Sequence, residues 1–240
     1  MISMQGVRML TLFSYPDLCG VADNNPYGLK VYAFLKLSHL PFRHEHIFDA
    51  SNAPRGQLPY LEDGNEKIGD SDAIIAHLIG KYSLAIDHGL TPNQRDTHLL
   101  MRRMLDDLYW VMSFSRWKDE RFWPQFRDTI LRAHPGVTVD ALEKAREFNF
   151  KRYHYQGIGR YEPKDAYARG LADLGTLANL LPKSGNLFGT RPTSIDAGIY
   201  GFIANIYFYE IDTPLKQFVV SQTNLVEHCR SIHAAVSRAD

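Results

Sequence analysis

Gly56-Gln-Leu-Pro-Tyr-Leu-Glu-Asp-Gly-Asn-Glu-Lys-Ile-Gly-Asp-Ser-Asp-Ala-Ile-Ile-Ala-His-Leu-Ile-Gly-Lys-Tyr82 reads as three joined parts. Gln57 to Glu62 is short and apolar and carries one proline. Asp63-Gly64-Asn65 is turn chemistry, because Gly and Asn accept positive φ cheaply. Glu66 to Gly69 then reads as a second short strand, so the two make a hairpin. Behind Asp70-Ser71, apolar residues recur at Ile74, Ile75, Leu78, Ile79 and Tyr82. That spacing is one stripe of a helix, and Asp or Ser ahead of it is a good N-cap. Pro59 falls where a strand begins, a place where the missing N–H is tolerated. On spacing alone an ordinary trans proline is the commoner case, since few X-Pro bonds are cis. A cis Leu58–Pro59 bond would turn the Leu58 backbone outward to meet an extended peptide as a strand does. Ser71, at a helix N-terminus, would offer a hydroxyl and free N–H groups to a carboxylate.

Gln57-Leu58-Pro59-Tyr60-Leu61, followed by Gly69-Asp70-Ser71 and an apolar helix, resembles the glutathione-binding half of the glutathione transferase family. Ala53-Pro54-Arg55-Gly56-Gln57-Leu58-Pro59-Tyr60 and Gly157-Ile158-Gly159-Arg160 are similar to runs in the failed-axon-connections and metaxin-like branch. The likeness covers most of the chain. It implies a thioredoxin-like domain that holds glutathione, as co-substrate, with a cis-proline loop and an acidic-Ser pair. It also implies a homodimer.

Composition sets bounds around that reading. At 240 residues the chain suffices for one or two domains with a sizeable core. Lys plus Arg equals Asp plus Glu, 27 each, so nothing in the charge predicts nucleic acid or an anionic membrane. The two cysteines, Cys19 and Cys229, sit far apart and in no metal spacing. A reduced compartment fits them better than a disulfide framework. Met1 to Arg8 shows no charged n-region followed by an apolar run, so no secretory signal is expected. No stretch reaches the ~18 apolar residues of a membrane span. A cytoplasmic location is the expectation.

Val7 to Phe13 predicts a strand, and Asn25-Pro26 predicts the start of a helix lasting to about Leu37. Phe42 to Phe48 predicts another strand. With the hairpin and its helix this gives strand–helix–strand–strand–strand–helix, a thioredoxin-like arrangement. Beyond a linker at Tyr82 to Pro92 nearly everything has helical period. The expected fold is an α/β thioredoxin-like domain over 1–84 and an all-α bundle over 92–240. Asp119 to Ala133 reads as one helix, kinked or interrupted at Pro124. Asn224 with Glu227 three residues on reads as a capping-box start.

The chemistry of a thiol site favours the N-terminus of the first helix, where free N–H groups and partial positive charge stabilise a thiolate. Aligning Asn25-Pro26-Tyr27 on the family's Cys-Pro-Phe/Tyr run puts Asn25 at the helper position. An Asn amide can donate to a thiolate but cannot act as nucleophile. Tyr15 and Ser14, just after the first strand, are the other candidates. Each has a plain structural role as well, a cap for Asn25 and packing for Tyr15. The resemblance gives Ser71 the γ-glutamyl carboxylate and Asp70 its amine, with Gln57 reaching the glycine end or the γ-glutamyl group and Leu58 and Pro59 forming the cis-proline loop that holds the tripeptide.

Tyr109, Trp110, Phe114 and Trp117 on the first long helix of the second part are expected to line an apolar pocket for a small hydrophobic molecule. Arg152, Tyr153, His154 and Tyr155 are candidates for its polar edge. Such a stripe is also what a helix core looks like. Thr193-Ser194-Ile195-Asp196 resembles the family's folding motif, in which a buried Asp caps a helix, and is structural. His44 and His46 share a strand face but have no further ligand at useful spacing, so no metal is expected.

The function these features imply is transfer of the glutathione thiolate to a small hydrophobic electrophile. Lowering a thiol from ~9 to about 6.5 takes roughly 3–4 kcal/mol, within reach of one or two aimed hydrogen bonds and a helix dipole. The alternative is a non-catalytic binding or assembly module of the same fold, which the lack of an unambiguous Tyr, Ser or Cys helper favours.

Overall fold

The computed structural model describes residues 9–238. Its N-terminal part runs β1 (Leu10–Ser14), α1 (Pro26–Leu37), β2 (Phe42–His46), β3 (Tyr60–Asp63), β4 (Glu66–Gly69) and α2 (Ser71–Lys81). The strands lie in the order β2-β1-β3-β4. β1 and β2 are parallel, with Leu10 opposite Phe42, and need the α1 crossover to connect them. β3 runs antiparallel to both β1 and β4, and the β3–β4 hairpin closes at Asp63–Glu66. This is the thioredoxin-like domain. β1 begins at Leu10, with Met9 outside it; Val7 and Arg8 of the expected span lie outside the described residues.

Local chemistry explains the helix starts. Asn25 is extended and its Oδ1 accepts from the Tyr27 N–H at 3.0 Å, while Pro26 occupies the first turn without losing a hydrogen bond. Asp70 caps α2, its Oδ1 accepting from Asp72 and Ala73 N–H at 3.0 and 3.1 Å. Asp70 holds φ 76, a conformation unusual for a side chain larger than glycine.

The second part is helical throughout: α3 (Pro92–Trp117), α4 (Trp123–Ala133), α5 (Val139–Gln156), α6 (Pro163–Leu180), α7 (Ser194–Tyr207), α8 (Pro214–Ser221) and α9 (Thr223–Val236). α7 is its axis, buried at every residue from Ser194 to Ile206. It begins at the expected Thr193–Asp196 motif. Asp196, fully buried, accepts from the Thr193 N–H and hydroxyl, both at 2.8 Å, from the Leu187 N–H at 2.9 Å and from His228 Nε2 at 3.0 Å. Burial alone would raise its pKa, but His228 and the backbone donors hold the carboxyl below the ordinary range.

α1 crosses α7 with almost nothing between them. A Cβ on Gly201 would stand 2.5 Å from the Pro26 carbonyl and 2.9 Å from Lys30 N, so only glycine permits this approach. The crossing sets the N-terminus of α1 beside α3 and α5.

Two expected helix starts are corrected. Pro124 does not interrupt a helix. It lies in the first turn of α4, which starts at Trp123, and Asp119 to Phe122 form a turn with Phe122 N and Trp123 N both bonded to the Asp119 carbonyl. Asn224 is not the cap of α9, which begins at Thr223 after Gln222. Its amide donates instead to the carbonyls of Ala178 and Leu181 at 2.8 and 2.9 Å, tying α9 to the end of α6.

Candidate functional site

Two cavities meet above the N-terminus of α1. One, about 580 Å³, is polar and is lined by Gln57, Leu58, Pro59, Asp70, Ser71, Tyr109, Trp110 and Arg152 among others. The other, about 510 Å³, is more apolar and runs between the α1 N-terminus, α3, α4 and α5. Tyr109 and Arg152 line both.

The first cavity gathers every cofactor-side residue expected from the sequence. The Leu58–Pro59 bond is cis. Among the described residues no backbone hydrogen bond engages Leu58, which leaves its N–H and C=O for an extended ligand. Ser71 is the first residue of α2 and is buried. Its hydroxyl accepts from the Lys30 ammonium at 3.2 Å and keeps its own proton to donate. Lys30 also pairs with Asp72, which Arg102 meets at 3.1 Å. Burial works against the Asp72 anion, but the two cations hold its pKa below the usual carboxylate value. Asp70 takes the Asp72 and Ala73 N–H groups, so the start of α2 presents the Ser71 hydroxyl to the polar cavity, with Lys30 behind it.

In the second cavity the expected thiol helpers separate. Asn25 lines it, but its Oδ1 is spent on the cap, so only the amide N–H groups face a ligand. Tyr15 lines it as well. Burial, then the neighbouring Tyr109, push the Tyr15 phenol above its ordinary pKa against the pull of Arg152, so it stays a neutral donor. Ser14 is not available. Its side chain is fully buried and its Oγ shares a 2.7 Å hydrogen bond with His44 Nε2.

Beneath the site lies Asp23, fully buried and reaching into the space a Cβ on Gly28 would fill, 1.8 Å from its Oδ2. Its Oδ1 accepts from the Asn25 N–H at 2.6 Å, and its Oδ2 has no partner at hydrogen-bonding geometry. Burial drives its pKa well above the ordinary value, against the opposing pull of the neighbouring donors.

The aromatic stripe divides. Tyr109 and Trp117 line the apolar cavity, and Trp117 stacks on Trp123 at 5.3 Å. Trp110 lines the polar cavity instead. Phe114 is corrected: it is 1% exposed and faces Tyr153 and Tyr167, because helical phase turns it toward α5 and α6. Among the edge candidates Arg152 reaches the site. Tyr153 is buried on Ser113 at 2.7 Å, and His154 and Tyr155 are exposed.

His44 and His46 face each other, Nδ1 to Nε2 at 3.2 Å, and burial with the His46 neighbour lowers the His44 pKa to about 3. Elsewhere Asp63, Glu66 and His77 bring ligand-type atoms together, and the Lys81 ammonium already bonds both carboxylates at 2.9 and 2.8 Å.

Residues 26–122 match the model of the glutathione S-transferase N-terminal domain, and residues 170–232 that of the glutathione S-transferase C-terminal domain. The chain belongs to the glutathione transferase family. As a transferase-family chain it is 27% identical over 233 residues to isoprene-epoxide–glutathione S-transferase of a Rhodococcus strain, covering 93% of this chain and 98% of that one. It is 28% identical over 225 residues to Failed axon connections of Drosophila melanogaster, covering 85% of this chain and 52% of that protein. A glutathione S-transferase of Methylobacterium radiotolerans, solved with glutathione sulfonate, shares the fold at TM-score 0.61 and 17% identity, over 97% of each chain. Among the described residues no helix of this transferase-family chain is long and apolar enough to cross a membrane.

Sequence reasoning missed Lys30, which stands behind Ser71. A lysine at the buried face of an otherwise apolar helix, between Leu29 and Val31, was its one signal.

Proposed function

We propose that this protein binds glutathione in the polar cavity and transfers its thiolate to a small hydrophobic electrophile in the aromatic one. The observation that carries this reading is the shared wall. A tripeptide lying along Leu58 with its γ-glutamyl carboxylate at Ser71 would send its thiol past Tyr109 and Arg152 into the second cavity. The name of the Rhodococcus relative supports an epoxide as one member of the electrophile class. The domain division at 1–84 and 92–240, a homodimer and a cytoplasmic location belong to the same proposal. So do the roles given to Asn25, Tyr15, Gln57, Leu58, Pro59, Asp70 and Ser71, with Tyr109 and Trp117 on the electrophile side and Trp110 on the wall of the polar cavity.

A titration calorimeter tests binding, and a spectrophotometric assay with a generic electrophile tests transfer. Saturable binding that Ser71→Ala weakens, together with conjugation above the uncatalysed rate, supports the enzyme. A second reading, a non-catalytic module, is favoured by the burial of Ser14 and the engagement of its hydroxyl by His44. Binding without conjugation would select it, and absence of binding would refute the glutathione site itself.

A further inference from the structure

We propose that Arg152, not a hydroxyl of the N-terminal domain, is the group that holds the glutathione sulfur as a thiolate. The inference rests on the glutathione reading above and names a residue of the opposite domain as its principal catalytic contact.

Three observations converge on it. The N-terminal helpers are weak: Ser14 is bound to His44, Asn25 has given its oxygen to the cap, and Tyr15 remains a neutral phenol. Arg152 lies where the two cavities join, which is where a thiol reaching from the tripeptide toward an electrophile must pass. Its guanidinium is held by rings rather than acids, over Trp110 at 5.1 Å and beside Tyr109 and Phe148 at 5.9 Å each. One nitrogen donates to Asn149 Oδ1 at 3.0 Å.

Among the described residues no carboxylate pairs with Arg152, and none lines the apolar cavity. The partly buried cations nearby are otherwise matched, Lys30 by Asp72 and Arg146 by Glu120. Arg116, the other cation of that cavity, is spent on the Asn24 and Asn205 carbonyls and the face of Tyr209. A half-buried guanidinium without an anion carries an uncompensated desolvation cost, which an anionic ligand relieves. Guanidinium is permanently charged, so it stabilises a thiolate without exchanging its own proton. The thiol proton leaves to solvent on binding. The thiolate lone pair then forms the S–C bond as a C–O bond of an epoxide electrophile breaks, and the released oxygen takes a proton from solvent.

The test is the ultraviolet titration of the bound thiolate against pH in the wild type and in Arg152→Gln, Arg152→Lys and Tyr15→Phe. S-methylglutathione, which has no thiol proton, serves as the affinity control, and thermal melting checks that each variant is folded. Arg152→Gln is expected to raise the thiol pKa by about one unit or more, a tenfold loss of thiolate near neutral pH. Arg152→Lys should fall between, and S-methylglutathione affinity should hardly move. An unchanged thiol pKa in folded Arg152→Gln, or a rise confined to Tyr15→Phe, overturns the assignment. If the wild type binds neither glutathione nor S-methylglutathione, the underlying glutathione reading fails as well, and the two failures are thereby told apart.

Discussion

Replacing Asp196 by Asn is expected to destabilise the fold by about 4 kcal/mol. The carboxylate accepts four hydrogen bonds, two on each oxygen, from Leu187, His228 and Thr193. An amide has one oxygen, so two donors lose their acceptor and meet an N–H₂ group instead. A hydrogen bond to a charged group is worth roughly 1.5–3 kcal/mol, and a buried donor left unpaired costs about as much again as a neutral bond. Two such losses give about 3–6 kcal/mol, a large share of the ~5–15 kcal/mol that stabilises a typical domain. Guanidinium unfolding followed by far-ultraviolet circular dichroism measures it as a lower midpoint at unchanged slope.

The difference should also depend on pH with a definite sign. The Asp196 pKa is depressed in the folded chain, so its stabilisation is fully present above the unfolded value near ~3.9 and is lost as pH falls through the folded value. Wild type and variant should therefore converge in acid. As a control, Asp140→Asn on the exposed face of α5 should change stability by less than about 0.5 kcal/mol. A loss below ~1 kcal/mol for Asp196→Asn, or one that persists undiminished at the lowest pH where the protein folds, would refute the capping argument.

Other outcomes follow from the same geometry. Ser71→Ala should weaken glutathione binding roughly tenfold by calorimetry, about 1.4 kcal/mol, while leaving the melting temperature nearly unchanged because Asp70 still caps α2. Gly201→Ala should cost about 1–3 kcal/mol in chemical denaturation and lower glutathione affinity too, since the new methyl displaces the start of α1. Asp23→Asn should stabilise the protein increasingly as pH rises. The folded pKa of Asp23 is raised, so its contribution is present below the unfolded value and is lost as pH climbs through the folded one. Parallel melts from about pH 4, near the unfolded carboxylate value, upward through neutral check this.

The N-terminal architecture was legible in sequence because its signals are local. Asn25-Pro26 marks a helix start, and Asp63-Gly64-Asn65 a hairpin, without reference to anything distant. The misread starts failed for the opposite reason. Asn224 looks like a cap until the Ala178 and Leu181 carbonyls are brought to it from more than forty residues away. Pro124 sits as comfortably in a first turn as at a break, and the turn at Asp119 that decides between them depends on a carboxylate satisfied by Arg121 and Tyr167. The four aromatic residues of α3 share a helix but not a face, so the stripe alone could not separate Phe114 from Tyr109 and Trp117. Ser14 was a reasonable helper until the parallel pairing of β1 with β2 brought His44, which lies opposite Leu12, within hydrogen-bonding reach of its hydroxyl. The junction at Arg152 needs two domains in register, and no window of sequence contains both.

The bare crossing of α1 on α7 has a mechanical meaning. With backbone resting on backbone at Gly201, the floor of the cleft and its far wall have no compressible layer between them and cannot open like a jaw. Traffic into the cleft is then expected to pass the outer rim, where Phe48 and Phe148 stand half open to water. Trimming those two rings, rather than loosening the linker between domains, is the change that should hasten ligand exchange.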